Sequence, residues 1–331
     1  MNVVRMLATC ALCSIAMAAL AQPPAPTTPD ELVGAAKRAA GRDYAGTFMR
    51  ICVAPDNLVG GAPRPAAAPG ATGARAVPDR ATWYAQPYKV FDDLYFIGTK
   101  VHSAWALTTT AGIIVIDTLF DYAIEPEIIE GIRKLGLDPD DIEYVLISHA
   151  HGDHDQGAAV LQQRYGAKIV MGAADWDATL QRPATAAGGV PTRNIAVGPE
   201  GLKITLGATT VDVIATPGHT QGTLSYLFPV HDGGRTLRVA YSGGTAFNFP
   251  RRAENFAIYR DSAKKMAMAA AGATVLMTNH TEFDGAYDRA RIAQLPRTSG
   301  EKHPYESDAA TVQRYFEMTG YCAEAQRLSM E

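Results

Sequence analysis

The sequence predicts an α/β protein, an αββα sandwich with strands packed centrally and helices outside. Three observations predict it. From Trp83 onward, short apolar runs of strand length alternate with turn residues. Stretches of helical spacing interrupt these runs in both halves of the chain. No period of roughly 20–50 residues is self-similar, which excludes a solenoid.

The elements follow in order. Arg5 and the apolar run 6–20, closed by Ala19-Leu20-Ala21, read as a secretory signal peptide over 1–21, with Gln22 as the mature start. That run is too short to anchor the chain in a bilayer. Its removal implies export to the periplasm or medium and takes away Cys10 and Cys13, leaving Cys52 and Cys322 either as one disulfide or as two buried thiols. Thr28-Pro29-Asp30-Glu31 is a capping signal for a short helix ending near Gly41. Residues 60–78 are an Ala/Gly/Pro-rich linker, so 22–82 is an arm and 83–331 the catalytic domain. Strands are expected over 88–90, 94–97, 104–109, 112–116 and 144–148, with helices over 124–135 and 156–165. The second half repeats the style, with strands over 203–206, 211–214, 224–228, 237–241 and 274–277, and helices over 261–271 and 311–318.

Composition narrows the function. The chain of 331 residues carries 30 Lys+Arg against 34 Asp+Glu, and no block of five like charges. Such a surface offers no electrostatic footprint for nucleic acid or an acidic membrane, so the expected partner is a small molecule.

Chemistry concentrates in two places. HAHGDH (149–154) follows the apolar run YVLIS, and TPGHTQGT contains His219. In extended backbone, residues two apart face the same way, so His149 and His151 can meet one metal ion. Asp153 and His154 fall where the chain turns into a helix and point to a second position. Neutral imidazoles with a carboxylate suit zinc, whose catalytic sites use three protein ligands and leave a place for water.

HAHGDH, the Gly-His-Thr around His219, and the downstream SGGTAF and TNHTEFD resemble the metallo-β-lactamase superfamily in order and spacing, roughly from Trp83 to Asp284. The stretch from Trp83 to the strand GIIVID, and GAADWD further on, look particularly like subclass B3 metallo-β-lactamases. The resemblance implies two zinc ions per chain: one held by His149, His151 and His219, the other by Asp153, His154 and His280. It implies a hydrolase opening a β-lactam amide, with Asp153 holding the attacking hydroxide; the alternatives are a lactone or thioester hydrolase, or a zinc-binding protein without turnover. Many superfamily hydrolases place a metal-bridging Asp where this chain has Gly244, and no Asp or Glu occurs between Ala240 and Arg252. On that alignment an acid at position 244 would reach both ions.

Other residues carry weaker expectations. Asp117 either orients a ligand imidazole or closes a turn. Ser242, Thr245 and Asn248 are candidates to hold a substrate carboxylate, with turn polarity as the alternative. Glu282 and Asp284 are placed at the rim, and Trp176 in the core. His102, His231 and His303 lack ligand spacing and are expected at the surface.

Overall fold

A computed structural model describes residues 25–53 and 77–331. The signal segment 1–21 and nearly all of the 60–78 linker lie outside the described residues. Two sheets form the centre. The first has seven strands in sequential order: β1 (Tyr88–Lys89), β2 (Leu94–Phe96), β3 (Trp105–Thr109), β4 (Gly112–Ile116), β5 (Ile142–Leu146), β6 (Lys168–Gly172) and β7 (Ile195–Val197). The second has five: β8 (Leu202–Leu206), β9 (Thr209–Ala215), β10 (Leu224–Asp232), β11 (Arg235–Ser242) and β12 (Val275–Thr278), ordered β12-β11-β10-β9-β8.

Each sheet is buried on both faces, which creates three layers of core. Between the sheets, Phe96, Trp105, Ile116, Leu146 and Val170 meet Val213, Tyr226, Phe228, Val239 and Met277. Beneath the first sheet, Val115, Val145, Ile147 and Ile169 pack with Ile128, Ile132, Leu161 and Trp176. Over the second, Leu227, Ala240 and Leu276 pack with Phe256, Met266, Val312 and Phe316, from the helices Ala253–Ala269 and Ala309–Leu328. The αββα expectation holds.

The arm belongs to this outer layer. Its helix Pro29–Ala40 starts on the capping box read from the sequence, with Thr28 and Glu31 as the reciprocal pair. Ala36, Ala39 and Ala40 share the core with Val312, Tyr315 and Cys322. The Cys52–Cys322 disulfide closes the arm onto the last helix across a separation of 270 residues.

Several elements depart from the sequence reading. The strand β6 was not anticipated, because KIVMG is buried without alternation and carries no period-2 signal. β10 runs to Asp232, past Pro229, where a stop was expected. The structure tolerates that proline because β9 pairs only with Leu224 to Leu227, so no partner on that side needs the missing N–H. The last helix continues through Gly320 to Leu328, because burial of Cys322 and Ala323 in the outer core outweighs the weak helix propensity of glycine.

One buried acid sets a pH dependence. Glu127 is 1% exposed; its Oε1 accepts from the Ala85 N–H at 3.0 Å, while Oε2 finds no partner. Burial raises its pKa to about 8. The unfolded chain therefore releases this proton first, and stability falls as pH climbs from the ordinary carboxylate range towards 8. Glu127→Gln keeps the acceptor and removes the charge. The variant is expected to gain about 2 kcal/mol at pH 8 and nothing near pH 4.5, measured by denaturant unfolding at both pH values. Equal gains at both would sink the assignment.

Candidate metal centre

The HAHGDH turn lies at the end of β5, where the sheets open. His149 extends the strand direction and is fully buried, and His151 caps the short helix Gly152–Asp155, which carries Asp153 and His154. His219 arrives from the loop between β9 and β10, and His280 from the turn after β12.

The first three imidazoles converge. His219 Nε2 lies 3.1 Å from His149 Nε2 and 3.2 Å from His151 Nδ1. Backbone carbonyls fix two of the tautomers. His149 Nδ1–H donates to Gly243 at 2.9 Å, and His219 Nδ1–H donates to Ala246 at 2.8 Å. Both Nε2 atoms are therefore left as lone pairs pointing at one another. Such an arrangement is repulsive unless a cation stands between them. Two ligands of a tetrahedral zinc, each at about 2.1 Å, lie about 3.4 Å apart, slightly wider than the 3.1 and 3.2 Å seen. Burial lowers the pKa of His149 and His151, and that of His219 to about 3, so the set stays neutral.

A second group shares the same turn. Asp153 Oδ2 lies 3.3 Å from His154 Nε2 and 3.4 Å from His280 Nε2, and those two nitrogens are 3.2 Å apart. Burial would raise the Asp153 carboxyl, yet the imidazoles of His154, His280 and His102 outweigh it and hold the carboxyl far below its usual range. Burial likewise opposes a proton on His154, but Asp153 and Asp117 push its pKa up to about 10. A proton there does what a cation would do.

Asp117 is the orienting group. Its backbone is left-handed at φ 59°, and its buried carboxylate accepts from Ser148 N at 2.7 Å, Ser148 Oγ at 2.9 Å and Tyr241 OH at 3.1 Å. It also accepts from His154 Nδ1 at 3.0 Å. Orientation, rather than turn closure alone, is its role in this geometry. Asp117→Asn is expected to weaken metal binding at the Asp153 group by about 10- to 100-fold, read by chelator competition, while the His149 group is little affected. Equal binding at both groups would refute that role.

Two fixing residues escaped the sequence reading. Asp175, in GAADWD, accepts from Ala150 N at 2.8 Å, Gly222 N at 2.9 Å and Thr220 Oγ1 at 2.8 Å, tying the HAHGDH turn to the His219 loop. Asn279 donates to the Gly243 carbonyl at 2.8 Å, the acceptor used by His149. The position of Asp175 in the motif was the available signal; Asn279 had none beyond adjacency to His280.

Other expectations change. Ser242 faces away from the histidines, into a small cavity with Tyr259, Phe316 and Thr319. Thr245 is buried and donates to Asn279 Oδ1 at 3.1 Å, which leaves only Asn248 of the three exposed. A Cβ at Gly244 would press on His219 Cβ at 2.6 Å, so an aspartate there displaces a histidine instead of reaching two ions. Asp284 is buried, accepting from Thr278 N at 2.7 Å and Ala286 N at 2.8 Å, and pins the turn after His280; Glu282 pairs with Arg50 at 2.9 Å. His231 is at the surface beside Asp93 as expected, but His303 is buried, stacked on Phe91 and bonded to the Val90 carbonyl at 2.8 Å. His102, also expected at the surface, lies 3.5 Å from Asp153 Oδ2. A cavity of about 470 Å³ sits behind the His219 loop between Val197, Pro217, Ile258 and Lys265, and no histidine lines it.

Comparison with known proteins identifies the family and the fold. Residues 97–268, more than half of the chain, match the metallo-beta-lactamase superfamily. Among solved structures, the chain resembles BJP-1, a subclass B3 metallo-beta-lactamase of Bradyrhizobium japonicum, with 28% identity, a TM-score of 0.60, and coverage of 70% of this chain and 90% of that one. The fold also matches FEZ-1 from Legionella gormanii at 21% identity and a TM-score of 0.62, covering 74% of this chain and 97% of that one. Curated relatives are named hydroxyacylglutathione hydrolase. That of Acidiphilium cryptum is 41% identical over 87 residues, 26% of this chain and 31% of its own length. That of Xanthomonas axonopodis pv. citri is 30% identical over 158 residues, 48% of each. The chain thus spans about a third to a half of these relatives. With its histidine clusters at the open ends of two packed sheets, this chain belongs to the metallo-β-lactamase superfamily.

Proposed function

We propose that this protein is a two-zinc hydrolase of an activated acyl bond, with His149, His151 and His219 holding one ion and Asp153, His154 and His280 the other. The observation that carries the reading is the convergence of fixed lone pairs in two groups that share one turn. Zinc bound there supplies Lewis acidity for the carbonyl and lowers the pKa of nearby water. The chain's own residues do the rest. Asp117 and the carbonyls of Gly243 and Ala246 hold the imidazoles in the donor tautomer. Asp153, 19% exposed in its side chain, is the carboxylate at the mouth and orients the attacking water. Phe120, stacked on Tyr122 at 5.4 Å and edge-on to the His102 ring at 5.3 Å, sets an apolar group beside the second position.

Two bonds compete as the substrate. A β-lactam amide is supported by the structural likeness to subclass B3 enzymes and by the absence of a carboxylate beside Gly244. A thioester or lactone is supported more directly by the sequence relatives, since a hydroxyacylglutathione is a thioester. The deciding assay sets the zinc-loaded protein against a penicillin, a cephalosporin, a carbapenem, a lactone and a thioester. A kcat/KM at least tenfold higher for one class assigns it, and no turnover of any would remove the hydrolase reading.

We also propose export. The Cys52–Cys322 disulfide supports an oxidising compartment, and cleavage before Gln22 would be seen as a new N-terminus on the exported protein.

A further inference from the structure

We infer that His102 is a fourth protein ligand of the second metal position, beside Asp153, His154 and His280. The inference rests on reading that position as a metal site. The ligand atoms of His102, Asp153 and His280 lie within 4.8 Å of one another, and His102 Nε2 is 3.5 Å from the same Oδ2 that faces His154 and His280.

The backbone builds this position. His102 and His280 form an isolated antiparallel bridge, flanked by Ser103 N donating to Asn279 O at 2.9 Å and Thr281 N to Val101 O at 2.9 Å. Directly opposed residues of an antiparallel pair project to the same side, so the two rings are neighbours. Their centroids are 5.1 Å apart, the separation also found between His154 and His280. A tight turn feeds the bridge. Thr99 Oγ1 accepts from His102 N at 2.8 Å and Val101 N at 3.1 Å, and Thr99 N donates to His102 O at 2.8 Å. Gly98 is required beneath it, since a Cβ would meet His102 O at 2.5 Å. Phe120 stands edge-on to the His102 ring at 5.3 Å, and the side chain is only 15% exposed. A surface histidine has no need of such a setting.

The geometry also fits the coordination. The His102 and His154 rings are the more widely spaced pair, at 6.2 Å, so His102 would approach an ion there from the Asp153 and His280 side. Four protein donors would leave fewer places for water or substrate than three. The second ion would then be held more tightly and accept fewer new ligands than a three-donor ion.

Cadmium-113 NMR of full-length protein carrying ¹⁵N-histidine reads the number of imidazoles on each ion directly. Loaded with cadmium alone, the second position is expected to show coupling to three imidazole nitrogens, reduced to two in His102→Ala. Zinc competition should show the second dissociation constant raised at least about tenfold in that variant, with the first unchanged. Coupling to two nitrogens in the wild type, with unaltered zinc affinity in His102→Ala, would overturn the inference and leave His102 as a hydrogen-bond partner of Asp153. No cadmium at the second position in a folded protein would instead overturn the two-metal reading on which it rests.

Discussion

Stripping the protein with a strong chelator is expected to lower hydrolysis by at least about a thousandfold and to reduce the melting temperature, both reversed by added zinc. The first effect follows from the site. Without a cation, the lone pairs of His149 and His219 stand 3.1 Å apart with nothing between them, and the His154–Asp153 pair needs a proton to be stable. The second effect is linkage: an ion present at about a thousand times its dissociation constant adds about 4 kcal/mol to the folded state. His280→Ala separates the two positions, since it should leave about one ion per chain bound by His149, His151 and His219. A metal-free preparation that keeps full activity and an unchanged melting temperature would end the metal-centred account.

Breaking the Cys52–Cys322 bond is expected to cost up to about 5 kcal/mol, because the bridge closes a loop of 270 residues and removes much freedom from the unfolded chain. The arm it holds also reaches the site. Thr47 Oγ1 donates to the Phe283 carbonyl at 2.9 Å, and Arg50 pairs with Glu282, both beside the turn that presents His280. Reduction, or Cys52→Ser, should therefore speed amide exchange across 281–284 as well as across the arm. Denaturant unfolding with and without reductant measures the first effect, and exchange mass spectrometry the second. Unchanged stability in both states would show that packing of Ala36, Ala39 and Ile51 alone holds the arm.

Much of the fold was legible because the strands that line the inter-sheet core keep short, separated apolar runs with turn residues between them. β6 was not, since full burial erases alternation. The candidate donor group in HAHGDH was legible because its spacing is local and the two-residue period is rigid. Ser242 was misplaced for the same reason: along β11, Tyr241 reaches Asp117 between the sheets, so its neighbour must face the helices. His102 was invisible because its partner, His280, is far away in the sequence, and only the bridge between two loops brings the two together. Asp175 spans two loops distant in sequence, and such contacts leave no periodic trace.

That clamp has a consequence for how this protein can change. Asp117, Asp175 and Asn279 secure the donor loops from behind, through buried bonds to backbone and imidazole. In front stand different residues, such as Phe120 edge-on to the His102 ring, which supply none of those bonds. Labour is divided between an anchored rear and a front free of those anchoring bonds. Mutational libraries confined to the front should shift substrate preference while metal content stays constant, so this scaffold can exchange one acyl substrate for another without rebuilding its chemistry.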